Sequence, residues 1–258
     1  MKKPKQEIQR KQCLFCENYA NSKEDTFPLW LLEIVGNRQD MRKAVSDLPI
    51  KIQKGSSVLR IRTVCTTCNN GWMSKLEQDT IPVLRPLLVD LSVRLSPEQQ
   101  SLLASWAMKT GVVLDSIHKH TRFYRKEECK NLRENRTIPT GTVVWIGRYL
   151  GNGLHAGQSD FSLDSPPHRK IANGCVITFV LGHVVFQILS ARPRPEHEER
   201  RVNVEYRPGS WDKLLTKIWP SADSQIAWPP PLSFTLYNEC SIGSLVNRFR
   251  PIGVKPIS

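Results

Sequence analysis

The chain lacks an apolar run long enough to cross a bilayer. Its closest approach, "CVITFVLGHVVFQIL", is split at Gly182 and His183 into two strand-sized pieces. No apolar segment follows the basic start "MKKPKQEIQRKQC", so no secretory signal is expected there and a cytoplasmic, membrane-free protein is the expectation. A disulfide framework is also missing: seven cysteines are an odd count, and the chain carries no export signal. There is no phosphate-cradling glycine loop, no serine-nucleophile elbow and no H-E-x-x-H pair. Internal repeats are absent as well. Acidic residues are in short supply, with 24 Asp and Glu against 37 Lys and Arg, which leaves +13. A field of that sign draws polyanions, nucleic acid above all, although a basic soluble protein with no such partner has the same balance.

What is present divides the 258 residues into three parts, given 40% hydrophobic and 24% charged residues, the balance of a folded globular chain. Residues 1–12 read as a basic arm, 13–90 as a cysteine-bounded module, and 95–258 as an α+β accessory domain of unknown role. In the module, "FPLWLLEIV" is a short helix entered through Pro28, and "SSVLRIRTVC" is a strand. "NNGWMSKLEQDT" is a helix capped near Asn69 or Asn70 that stops before Pro82. "SPEQQSLLASWAMKTGVVLDSIHK" begins with Ser96 as N-cap and Pro97 in the first turn, and its spacing predicts a long helix with one buried face. "RKEECKNLREN" follows as a shorter polar helix. "GTVVWIGRYL", "GCVITFVLGHVVFQILS" and "RRVNVEYRP" are strand runs, the middle one turned at "LGH". "RYLGNGLHAG" reads as a hairpin loop and "WDKLLTKIW" as a short helix. The fold class expected is α+β with an antiparallel β-rich second part.

Four of the cysteines form two C-x2-C pairs, Cys13–Cys16 and Cys65–Cys68, with 48 residues between the pairs. Two such knuckles supply four thiolates to one tetrahedral ion, the arrangement of a structural Zn2+ with no open position for catalysis. A redox C-x-x-C is the competing reading, but no thioredoxin-like βαβ pattern surrounds either pair. Cys175, inside a strand run, reads as a buried thiol.

Between the knuckles lies "SKEDTFPLWL", and after them "CTTCNNGWM". Together these resemble the HNH, or ββα-metal, nucleases in the subgroup with a four-cysteine zinc, which includes phage endonuclease VII. They are also similar to a bacterial set of HNH proteins carrying P-x-W-L and C-N-x-G-W-M at these places. The resemblance covers about Cys13 to Glu77, less than a third of the chain. It implies a ββα-metal module in which a zinc fixes the strand bearing an acid–His pair against the helix start bearing an Asn. It further implies hydrolysis of DNA phosphodiester bonds with one Mg2+ or Mn2+, held here by Glu24 and Asn69. The family's general-base His is replaced by Asp25, whose ordinary pKa of about 3.9 makes it a far weaker base than imidazole. Asp25 then either joins Glu24 at the cation or marks a module that binds nucleic acid without cutting it. A third reading treats the knuckles as scaffold for protein–protein contact.

Other residues have two explanations each. Arg60 and Arg62 alternate on one strand face, and with Lys75 they suit a phosphate backbone or a solvated surface equally. Asn69 and Asn70 suit a helix cap as well as a cation. Trp30 and Trp72 read as core around the zinc. Glu77 is expected to pair with Lys75 or Arg85. His118 and His120 follow a long helix and read as exposed turn residues. The sequence leaves the oligomeric state open.

Overall fold

The computed structural model describes residues 11–35, 60–117, 122–165, 168–198 and 213–234. The basic stretch before Lys11, the "RRVNVEYRP" run, His118, His120 and Cys240 lie outside them. Lys11 and Gln12 pair with the far side of the first knuckle. The Lys11 carbonyl accepts from the Ala20 amide, and Gln12 bridges to Tyr19.

Two short strands open the fold, β1 (Ser22–Asp25) and β2 (Arg60–Val64), paired antiparallel with Glu24 opposite Ile61 and Asp25 opposite Arg60. Helix α1 (Leu29–Val35) leaves β1 and is entered from Pro28, whose carbonyl accepts from the Leu31 amide. From Cys65 the chain turns helical at once, first through Thr66–Cys68, then through a π-helical stretch at Asn69–Met73, then into α2 (Ser74–Leu88). The cap is Cys65, whose Sγ accepts from the Cys68 amide, and not Asn69 or Asn70. Helix α2 also runs through Pro82 and Pro86 instead of stopping before them. The prolines are four apart on the less buried side, and the carbonyls they leave unpaired belong to the exposed Gln78 and Pro82.

After β3 (Val93–Leu95) comes α3 (Pro97–Asp115), started by a reciprocal cap in which Ser96 and Gln99 satisfy each other's amides. One buried face was expected, but α3 is buried on nearly every side, including Trp106, Met108, Lys109, Thr110 and Val113. A helix apolar all round must lie inside the molecule. Helix α4 (Lys126–Asn135) follows.

The sheet is dominated by one long antiparallel pair, β4 (Thr142–Ser165) and β5 (His168–Pro193). Next to β4 lie β6 (Leu215–Trp219), antiparallel, and the short β8 (Ser233–Phe234), parallel; β7 (Ile226–Trp228) pairs with β3. Mixed helices and antiparallel sheets agree with the α+β class. No helix among the described residues is long and apolar enough to cross a membrane.

Three local expectations fail in this sheet. The "LGH" turn is a bulge within a continuous β5, with Gly182 at φ +56. Before it Ile177, Phe179 and Leu181 face the main core, and after it Val184, Phe186 and Ile188 do, so the bulge shifts the alternation by one. Opposite, "LGNG" is the irregular stretch of β4, where His183 Nδ1 donates to the Tyr149 carbonyl at 3.0 Å. The segment around "LLTKIW" is strand β6, not helix. Leu215 and Ile218, three apart, contribute to hydrophobic clusters on opposite faces, a spacing that imitates one face of a helix.

The larger cluster is continuous from Cys13 and Phe15 through Leu84 and Trp106 to Ile188 and Trp228. Trp106 packs against Phe179 and Phe186 at ring distances of 6.3 and 5.7 Å. Side-chain ties run alongside it, with Arg148 holding Asp90 by two hydrogen bonds and Arg136 holding Asp79. Where β4 begins, Gly141 has φ +77, and a Cβ there would stand 2.2 Å from the Ala191 carbonyl oxygen. Gly141→Ala is expected to cost roughly 2 kcal/mol or more, read as a lower urea midpoint with unchanged slope.

Candidate metal centre

The two knuckles meet as the spacing predicts. Sγ of Cys13, Cys16, Cys65 and Cys68 all lie within 4.8 Å of one another, and all four residues are buried. Cys16 Sγ and Cys65 Sγ stand 3.5 Å apart, far longer than the ~2.05 Å of a disulfide. A tetrahedron of Zn–S bonds of about 2.3 Å places sulfurs roughly 3.8 Å apart, inside the same range. Backbone amides surround the sulfurs: Cys65 N donates to Cys13 Sγ at 3.2 Å, Cys68 N to Cys65 Sγ at 3.4 Å, and Phe15 N to Cys13 Sγ at 3.5 Å. Such donors stabilise thiolates, and the cluster can hold a metal ion such as zinc.

Without a cation the sulfurs cannot all ionise together. Hydrogen bonding from Cys68 draws the Cys13 thiol down to about 5, while that same bond and burial push Cys68 upward. Burial likewise raises Cys16. A divalent cation would relieve this conflict by taking all four as thiolates. Cys129 and Cys175 are buried elsewhere, as expected for Cys175, and burial pushes Cys129 up to about 12.

The cluster ties β1 to the helix start. Thr66 donates its amide to Asn21 Oδ1 at 2.8 Å, and Asn69 Nδ2 donates to Ser22 Oγ at 2.9 Å. Asp25 is half-buried and Asn69 likewise, whereas Glu24 is 5% exposed and points into the core. Arg60 stands opposite Asp25 in register, and Arg62 is exposed two residues on. Lys75 is exposed and paired with Asp79 at 2.7 Å, one turn along α2. Trp30 and Trp72 are partly buried against the core, Trp72 edge-on to Phe15 at 4.8 Å.

A residue that the sequence reading passed over organises this region. Lys109, from the middle of α3, is 1% exposed; its Nζ donates to Glu77 Oε1 at 2.7 Å and lies 3.9 Å from Glu24 Oε1. Glu77 therefore pairs with Lys109 rather than with Lys75 or Arg85. The signal was present in "SLLASWAMKTGVVLD": a lysine inside a helix apolar all round must find a carboxylate. Burial raises Glu24 to about 7; Lys109 opposes the shift, and Glu77 and Asp25 add to it.

Among known proteins the chain matches no family model, no curated protein and no solved structure.

Two outcomes follow for this centre. Cys65→Ser should lose the bound metal and melt at a lower temperature, while Cys129→Ser, a buried thiol outside the cluster, keeps the full complement; metal analysis and thermal denaturation check both. The second concerns pH. The folded-state pKa of Glu24 lies above its ordinary value, so the native form holds the proton more tightly. The stability this contributes is full below about pH 4.5 and is lost as pH rises through about 7. The difference in unfolding free energy between the native chain and Glu24→Gln should shrink by roughly 3 kcal/mol over that window. Parallel pH profiles would contradict it.

Proposed function

We propose that the chain is an HNH-like nuclease of reduced power that hydrolyses DNA phosphodiester bonds, its site built on a structural zinc held by Cys13, Cys16, Cys65 and Cys68. The observation that carries this reading is the hydrogen bond from Asn69 to Ser22 beside the four sulfurs. It draws the helix start after the second knuckle onto the strand that bears Glu24 and Asp25. The antiparallel pair β1–β2, with α1 between its strands in the chain and a helix directly after β2, lies with a four-cysteine cluster, which supports a ββα-metal module.

The donor set suits a hard cation such as Mg2+ or Mn2+ in part. Asp25 offers a half-exposed carboxylate. Asn69 commits its nitrogen to Ser22, so its amide oxygen is the atom left for a cation. Glu24 would serve as the inner carboxylate only by turning from Lys109, whose Nζ lies 3.9 Å from its Oε1. When bound, the cation would neutralise charge on the scissile phosphate and the departing 3′-oxygen. Asp25 would accept the proton of the attacking water, weakly because a carboxylate is a poorer base than imidazole. Arg60, opposite Asp25 in register, and the exposed Arg62, with the wider +13 charge, would hold the nucleic-acid backbone.

A second reading is favoured by one observation: Glu24 is closed into the core by Lys109 rather than open to a cation. On that reading the module binds nucleic acid and does not cut it.

Nicking of supercoiled plasmid with magnesium or manganese separates the two. The native chain should nick slowly, Glu24→Ala should not nick, and Asp25→His should gain on the order of 10²–10⁴ in rate by restoring a base. Silence from all three, with DNA still bound, would establish the second reading.

A further inference from the structure

A cavity of about 200 Å³ opens between the first knuckle and the N-terminal turn of α4. Its walls carry three cations, Lys11, Arg122 and Lys126, and among the described residues no carboxylate lines it. Lys126 is already engaged, with its Nζ donating to Gln12 Oε1 at 2.8 Å and paired with Glu17 from outside the walls. Lys11 and Arg122 are exposed and make no ion pair among the described residues. Two positive charges thus face one recess with nothing described to neutralise them.

The rest of the lining narrows the ligand. Tyr124 contributes its ring, since its hydroxyl is buried against Ser190 at 2.9 Å. Cys129 stays a neutral thiol, so it adds no competing anion. The start of α4 adds no positive charge to the recess, because Glu127 and Glu128 lie in its first turn and Glu128 Oε2 accepts from the Arg125 amide at 2.7 Å, so Lys11 and Arg122 are its source of charge. The volume is below the ~300–1,000 Å³ usual for a whole small-molecule ligand, and it suits a single compact anionic group with some water.

We propose that this cavity binds a phosphate group, with Arg122 and Lys11 as its ligating cations. The phosphate belongs either to a nucleic-acid backbone or to a free phosphorylated ligand, and only the first source rests on the function proposed above. The competing explanation is that the two cations offset the negative charge of a zinc–thiolate centre, because Cys13 also borders the cavity.

The test uses the full chain with its metal, the Lys11→Ala/Arg122→Ala double variant, and Lys130→Ala as a control that removes an exposed charge elsewhere on α4. One arm titrates inorganic phosphate by calorimetry; the other measures affinity for a short DNA duplex across a salt series. The double variant, but not the control, should weaken phosphate binding at least tenfold. If the phosphate is a backbone one, the slope of log K against log salt should also become shallower by about 0.9. Response in the phosphate arm alone would assign the cavity to a free phosphorylated ligand. Unchanged binding in both arms, or loss of metal as the sole effect, would overturn the proposal. Failure of the plasmid to be nicked bears only on the nuclease reading and leaves the phosphate arm intact.

Discussion

Four sulfur atoms drawn within 4.8 Å of one another are the constraint on which the first third of this protein depends. They close a 48-residue excursion between the two C-x2-C pairs. The strands they bring together have four and five residues, too short for a two-stranded sheet to persist alone. The same atoms start the following helix, since Cys65 Sγ caps the turn at Thr66–Cys68. Strand pairing, helix entry and the placement of Asp25 and Asn69 are therefore consequences of one cluster. The four buried sulfurs, within reach of one ion, are what suits the centre to a cation.

Lys109 is the second organising group and acts across the fold. A buried ammonium is costly unless paired, and here the carboxylates of Glu77 and Glu24 meet it from α2 and β1. Trp106 of α3 adds a ring 5.7 Å from the ammonium. The acidic strand of the first module is thereby held against the central helix of the remainder. Burial is the main reason that Glu24 is raised to about 7, Lys109 works against it, and the neighbouring carboxylates of Glu77 and Asp25 add a smaller push.

Legibility of the sequence varied with how local each signal was. The C-x2-C pairs, the Ser96–Pro97–Gln99 helix start, the Pro28 entry to α1 and the burial of Cys175 could all be read within a few residues of sequence. Glycine at 182 was read as a turn because turns and bulges ask the same positive φ of the chain, and only the partner strand distinguishes them. Leu215 and Ile218 looked helical because both faces of the sheet are buried, so apolar residues need not alternate. Pro82 suggested a helix end, yet the carbonyls freed by Pro82 and Pro86 lie on the less buried side, where water can pair with them. At the site, Glu24, Asp25 and Asn69 come from short motifs, while Lys109 arrives from a residue 32 positions beyond its partner Glu77 and left only an indirect trace.

The chemistry proposed for Asp25 and Asn69, and the phosphate cavity between the knuckle and α4, both presuppose the four-sulfur centre. X-ray absorption at the zinc edge on the purified full chain tests that centre most directly. The account predicts one zinc per chain with four sulfur neighbours at about 2.3 Å. A chain that carries no zinc, or one whose zinc has nitrogen or oxygen among its four neighbours, would contradict it.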